Sequence, residues 1–142
     1  MDYSKLADEF LEQMHVLRRL KPQQKLTESM HGEAMALHQI AKGGEQIIPS
    51  EISSAIGISG ARIAATLNSL ENKGHIIRRI DPSDRRRILV TLTEKGRAQE
   101  EAHRRQLSET IEKMLRQLGE HDAKEYIRIT RKIIESAQCD TT

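Results

Sequence analysis

Apolar residues recur along the chain at two different periods, and the changes of period divide it into elements. Over residues 4–20, Leu6, Phe10, Leu17 and Leu20, with Leu11 and Met14 beside them, follow a helical spacing. Lys21-Pro22 ends that helix, because proline disfavours the helical conformation of the residue before it. Ser29 is expected to cap a second helix to about residue 42, with Met30, Ala34, Leu37 and Ala41 at intervals of three and four, and Gly43-Gly44 stops it. Pro49 opens a short third helix with Ile52, Ala55 and Ile56 on one side, and Gly57 terminates it. Ser59 caps a fourth helix to about residue 73, whose stripe is Ile63, Leu67 and Leu70, and Gly74 closes it.

The period then shortens. Residues 75–93, HIIRRIDPSDRRRILVTLT, put strand-forming residues (Ile76, Ile77 and Ile80, then Ile88, Leu89, Val90, Thr91 and Leu92) on either side of the turn residues Asp81-Pro82-Ser83-Asp84. This predicts a hairpin with three consecutive arginines at its tip. After it, Thr93 caps a long helix to residue 118, with Ala98 and Ala102 as small inward positions and then Leu107, Ile111, Met114, Leu115 and Leu118. Gly119 breaks it, and Asp122 starts a last helix striped by Tyr126, Ile127, Thr130, Ile133, Ile134 and Ala137.

Two short helices joined by a tight glycine turn make a helix-turn-helix, and a hairpin directly after it makes a winged helix. The expected fold is mainly α with a small β-hairpin wing, a winged helix-turn-helix with N- and C-terminal dimerisation helices. Residues 29–106 form the winged helix-turn-helix and residues 1–28 and 107–142 the dimerisation helices. The outer stripes are broad for one thin layer. Leu6, Phe10, Leu17, Ile111, Leu115, Tyr126, Ile133 and Ile134 are expected to bury one another between two copies in a two-fold homodimer.

Charge says what the hairpin is for. Residues 73–87 hold six Lys/Arg against two acids, a local +4 in a chain of +2 overall. Such an excess on a protruding element fits a polyanion, whose counterions are released as arginines replace them. Only Tyr3, Phe10 and Tyr126 are aromatic, so stacking platforms for single strands are missing and duplex DNA is the expected partner. The fourth helix would offer its N-terminal residues to the major groove, through Ser59, Gly60, Ala61, Arg62, Ala65 and Thr66. Small residues permit close approach, and Arg62 can pair with a guanine edge. The wing, with Arg78, Asp84, Arg85, Arg86 and Arg87, would follow the phosphates into the flanking minor groove.

The run Leu70-Glu71-Asn72-Lys73-Gly74-His75-Ile76-Ile77-Arg78-Arg79, continued by Asp81-Pro82-Ser83-Asp84-Arg85-Arg86 and Val90-Thr91-Leu92-Thr93-Glu94-Lys95-Gly96, resembles the MarR family of bacterial winged-helix transcription regulators. The likeness covers nearly the whole chain and is sharpest at Asp84 and Arg86 and at Leu92, Thr93 and Gly96. It implies a cytoplasmic homodimeric regulator, usually a repressor, that binds a pseudo-palindromic operator and is released by a small-molecule effector or an oxidant. By position it makes Arg86 the minor-groove arginine, Asp84 the wing buttress and Arg78 a wing-base residue near the backbone. The chain departs from the pattern at Ala64 and Ala65, where members often carry Thr and Arg. This shifts the expected binding energy toward Arg62, the wing and phosphate contacts. The N-terminal sensing cysteine of the peroxide-responsive branch is missing.

Other chemistry is poorly supported. His31 and His38 stand seven residues apart on one helix, roughly 10 Å along its axis, too far for two ligands on one ion. No metal and no cofactor is therefore expected, although a metal-responsive member of the family is the nearest alternative. Phosphate-cradling loops, nucleophile elbows and paired cysteines do not occur, so an enzyme is not expected. A helical interaction module that never touches DNA is the alternative from another class. Cys139 stands by itself between Gln138 and Asp140 and reads as an inert thiol. No run approaches the roughly 18 apolar residues of a membrane span, and the N-terminus lacks a basic, apolar leader, so no membrane association is expected.

Overall fold

The computed structural model describes residues 1–29, 32–44 and 46–140, with Ser29 described by its backbone alone. The elements run α1 (Tyr3–Arg19), α2 (Lys21–Ser29), α3 (Gly32–Gly43), α4 (Pro49–Ile56), α5 (Gly60–Asn72), β1 (Ile76–Asp81), β2 (Asp84–Leu92), α6 (Glu94–Leu118) and α7 (Glu120–Cys139). The chain divides into two compact units, Met1–Leu107 and Ser108–Thr142.

Helices and hairpin begin and end for local reasons. Asp2 caps α1 by accepting the N–H groups of Ser4 and Lys5, and Leu20 ends it in extended conformation. Lys21-Pro22 does stop α1, but Pro22 then falls in the first turn of a further helix, α2, where its missing N–H costs nothing. Ser29 is thus the last residue of α2 and not the cap of the next helix. Met30 and His31 lie outside the described residues. The buried positions of α3 are Ala36, Leu37 and Ile40; Ala34 and Ala41 are only half-buried, so the apolar stripe is rotated from the expected one.

The core of the first unit lies between α3, α4, α5 and the hairpin. Ala36, Leu37, Ile40, Ile47, Ile52, Ile63, Leu67, Leu70, Ile76 and Val90 are buried together, with Ile56, Ile58 and Leu92 packed at the margin. Each fully buried Leu or Ile here contributes roughly 1.5–3 kcal/mol. Ala55, expected inside, is exposed. Ile47, which carried no signal in the sequence, accepts the Val90 N–H at 2.9 Å and adds a one-residue bridge to the hairpin edge.

Two glycines decide how the wing is hung. Gly74, at φ 76, closes α5 in a left-handed turn: its N–H reaches Glu71 O and the His75 N–H reaches Leu70 O, both at 2.9 Å. Gly96, in the first turn of α6, lies against the His75 carbonyl so closely that a Cβ would stand 1.8 Å from the oxygen. Thr93 binds this joint. Its N–H donates to His75 O at 3.0 Å, its hydroxyl donates to Gly74 O at 2.5 Å, and the same oxygen accepts the Gly96 N–H at 3.0 Å.

The inward positions of α6 within the first unit are Gly96 and Glu100. Ala98 and Ala102, expected inward, are exposed, because contact with His75 sets the rotation of the helix. In the second unit Ile111, Met114 and Leu115 are half-buried, and no residue of α7 is buried. Among the described residues no helix is long and apolar enough to cross a membrane.

Candidate nucleic-acid interface

Two elements of the first unit present a surface suited to a duplex, and each is shaped by its own sequence. At the start of α5, Ser59 is extended (φ −68, ψ 157) and its hydroxyl accepts the Arg62 N–H at 3.2 Å. Ile63, Leu67 and Leu70 face the core, which leaves Gly60, Ala61, Arg62, Ala64 and Ala65 on the exposed side. Arg62 makes no side-chain hydrogen bond or ion pair among the described residues, whereas Thr66 is half-buried and donates back to Arg62 O at 2.9 Å.

Two side chains, Glu33 and Arg78, anchor α5 and the turn after it through four hydrogen bonds. Glu33 on α3 accepts from Ser69 Oγ at 2.5 Å and from Lys73 Nζ at 2.6 Å. Burial pushes the Glu33 carboxyl up, but the hydrogen bonds from Lys73 and Ser69 and the charges of Lys73 and His75 outweigh it and hold the group below its usual range. Across the other side, Arg78 of β1 donates from Nε to Glu71 at 2.7 Å and from Nη2 to Asn68 Oδ1 at 2.7 Å. That hydrogen bond lowers the Glu71 carboxyl and raises the Arg78 guanidinium. Arg78, a predicted contact residue, is therefore occupied in fastening the wing base to α5.

The wing departs from the regular hairpin at its end. Pairing runs in register from Ile76↔Leu92 to Ile80↔Ile88 and then jumps to Asp81↔Asp84. Arg85, Arg86 and Arg87 therefore sit on β2 without partners on β1, and not at the tip, which is Pro82-Ser83. Asp81 is the buried carboxylate that shapes the turn. Its Oδ1 accepts the Ser83 hydroxyl at 2.7 Å and the Ser83 N–H at 2.9 Å, and these bonds, ahead of the Arg87 charge, keep its carboxyl below the usual range.

The three arginines then part company. Arg87 is turned toward acids, with Nε 3.9 Å from Asp81 Oδ2 and Nη2 4.0 Å from Glu51 Oε1 on α4. Arg85 and Arg86 are exposed and their side chains meet no acid among the described residues. Asp84 accepts the backbone N–H of Arg86 at 3.0 Å, a local turn bond that sets the direction of the strand at that residue. Asp81 acts as the turn residue the sequence makes it, whereas Glu51, Glu71 and Asn68 carry no signal in the sequence. Those three are recruited by tertiary contact.

The predicted dimer residues are divided between the units. Leu6, Phe10 and Leu17 on α1 are exposed, as are Tyr126, Ile133 and Ile134 on α7, while Ile111 and Leu115 are half-buried. Among the described residues no group of three or more His, Cys, Asp or Glu is placed to hold a metal ion.

Comparison with known proteins bears on this geometry. A model of the MarR family matches residues 26–87. An uncharacterised HTH-type transcriptional regulator of Bacillus subtilis, YdgJ, is 32% identical over 71 residues, 50% of this chain and 43% of that protein, so the match spans less than half of the relative's length. Among solved structures, the YusO protein of Bacillus subtilis is 23% identical with a TM-score of 0.72, covering 95% of this chain and 99% of that one. The transcriptional repressor CouR bound to a 23-mer DNA duplex is 21% identical with a TM-score of 0.69, covering 95% and 98%. CouR from Rhodococcus jostii bound to p-coumaroyl-CoA is 22% identical with a TM-score of 0.62, covering 74% and 71%. At these identities the solved structures give the fold.

Proposed function

We propose that this winged-helix chain, whose residues 26–87 match the MarR family model, is a transcriptional regulator of that family that binds a pseudo-palindromic operator as a homodimer, represses transcription from it, and is released by a small molecule. In this reading α5 enters the major groove with Ser59, Gly60, Ala61, Arg62, Ala65 and Thr66 at the bases. Arg62 supplies the one charged contact on an otherwise small face. Arg85 and Arg86 reach phosphates and the minor groove, while Asp84, Arg78 and Arg87 set the shape and angle of the wing.

The observation that carries the reading is the contrast among the wing cations. Arg78 and Arg87 are engaged by the chain's own carboxylates, whereas Arg85 and Arg86 stand exposed without one. Free arginines on a protruding bulge are worth most to a ligand that is itself a dense array of anions. Release by a ligand draws support from CouR, solved once with DNA and once with p-coumaroyl-CoA.

The test is fluorescence anisotropy on a labelled duplex. Wild-type affinity should fall steeply with salt, and Arg86→Ala should weaken binding about tenfold or more and flatten the salt dependence by about one phosphate. Salt-independent affinity, or an Arg86→Ala chain that binds like wild type, overturns it. Arg62→Ala should instead relax base preference, and an equal loss on all sequences would move Arg62 to a phosphate.

A further inference from the structure

Beneath the C-terminal end of α5 the first unit holds a cavity of about 200 Å³ that the DNA-reading surface does not use. Glu33, Ala34 and Leu37 of α3, Lys73 and His75 of the turn after α5, and Gln99, Glu100 and His103 of α6 line it. Its polar groups are incompletely matched. His75 Nδ1 and His103 Nε2 are buried without a hydrogen-bond partner among the described residues. Buried polar atoms are rarely left so, because each costs the desolvation of the group.

The charge of the lining says what would complete it. Glu100 is 7% exposed, and its Oε1 is met by His38 Nδ1 at 3.2 Å and, more distantly, by Arg104 Nε at 4.0 Å. Glu33 is the second carboxylate, and Lys73, the cation on the lining, is already spent on it. The lining carries two carboxylates against one ammonium, with Arg104 reaching Glu100 from outside it, and an anion entering would face both carboxylates. Metal coordination has no support from the geometry, since no described group of three or more such side chains is placed for it. A ligand that donates several N–H groups suits two imidazole nitrogens and a buried carboxylate, and Ala34 and Leu37 leave an apolar wall for a short hydrocarbon body.

We propose that this cavity binds a small organic cation, an ammonium or amidinium with a short hydrocarbon body, anchored on Glu100, His75 and His103. The site is wired to the reading helix. Glu33 lines the cavity and at the same time holds Ser69 and Lys73 of α5, so a cation that draws the Glu33 carboxylate toward itself loosens α5 from α3. Only this regulatory half rests on the proposed DNA binding.

The test separates the two halves. Melting of the full chain is followed without DNA in the presence of putrescine, agmatine or benzamidine, with benzoate and zinc chloride as comparisons. A ligand that prefers the folded state raises the melting temperature in proportion to its occupancy. At least one of the three cations should give a saturable rise. Glu100→Gln should weaken that cation about tenfold or more, as expected for a lost hydrogen bond to a charged group. Should Glu100→Gln fold too poorly to read, His103→Ala takes its place with the same expected loss. No rise with any of the cations, a rise that Glu100→Gln and His103→Ala leave unchanged, or a rise with benzoate or zinc alone overturns the site. In a second arm the binding cation should lower duplex affinity several-fold in wild type and less in Ser69→Ala, whose Glu33 tether is already cut. An undiminished duplex affinity in wild type overturns the coupling, and a chain that binds no duplex at all leaves the melting result to judge the site alone.

Discussion

Helices α5 and α7 look alike in sequence and end differently in the structure. Both carry isoleucines or leucines at helical spacing, yet α5 buries Ile63, Leu67 and Leu70 whereas α7 buries nothing and leaves Tyr126, Ile127, Ile133 and Ile134 about half exposed or more. The lesson is that periodicity reports a face in need of cover and is silent on where the cover comes from. For α5 it comes from α3, α4 and β1 of the same unit. Helices α7 and α1 bury nothing, and in the homodimer proposed above a second copy of the chain would cover the apolar face of each.

The largest expected effect cuts the covered face. Leu67→Ala should cost about 2–5 kcal/mol in denaturant unfolding, independent of protein concentration, because the cavity it leaves lies within one chain. Ile134→Ala should instead act through concentration, with wild-type melting temperature rising with protein and the variant losing that rise. Equal, concentration-independent losses from both substitutions would erase the distinction between the helices.

Next in size is the joint between β1 and α6. Gly96→Ala forces a methyl onto the His75 carbonyl and should cost about 1–3 kcal/mol by overpacking, read as a lowered denaturant midpoint. A neutral result would mean that the turn yields, and that the wing is hung less tightly than Thr93 and Gly96 suggest. On the open side of the comparison, Ile133→Glu with Ile134→Glu should leave a folded monomer by light scattering, since neither side chain supports the core of the first unit. A dimer that survives both would put its interface elsewhere.

The difference between the two helices also explains which features are legible in the sequence. The α5 boundaries, its Ser59 cap, its stripe and the Gly74 stop follow from neighbours within one turn, and so do the two strand-forming runs of the hairpin. Positions set by distant partners were not legible. Ala98 and Ala102 looked inward because they are small, but the His75 carbonyl rotates α6 so that Gly96 and Glu100 face in. Lys21-Pro22 was visible as a stop and not as the start of α2. In the candidate interface Arg62, Arg85 and Arg86 emerged from charge alone. That Arg78 and Arg87 would be taken by Glu71, Asp81 and Glu51 depends on the twist of a wing whose bulge no local pattern announces.

The smallest effect contrasts two carboxylates, Glu33 and Glu125, whose ionised forms are both favoured in the fold. Glu33 ties α3 to α5 through Lys73 and Ser69, while Glu125 pairs with Arg128 one turn along α7 itself. Both carboxyls are held below the ordinary 4.5; the stability that Glu33 contributes is present above that value and is lost as pH falls through the lowered one, whereas water screens the Glu125–Arg128 pair on the surface of one helix. Only Glu33 joins two elements, so only its loss should register in the tertiary fold. Between pH 7 and pH 5 Glu33→Gln should melt below wild type by about 2–4 °C at most, since its partly exposed pair is screened by solvent. As pH falls below 4.5 and through the lowered value, the two curves should converge as wild type takes up the proton. Glu125→Gln should track wild type across the whole range, and a Glu125→Gln deficit as large as that of Glu33→Gln would show that the ion pairs of α7 support more than their own helix.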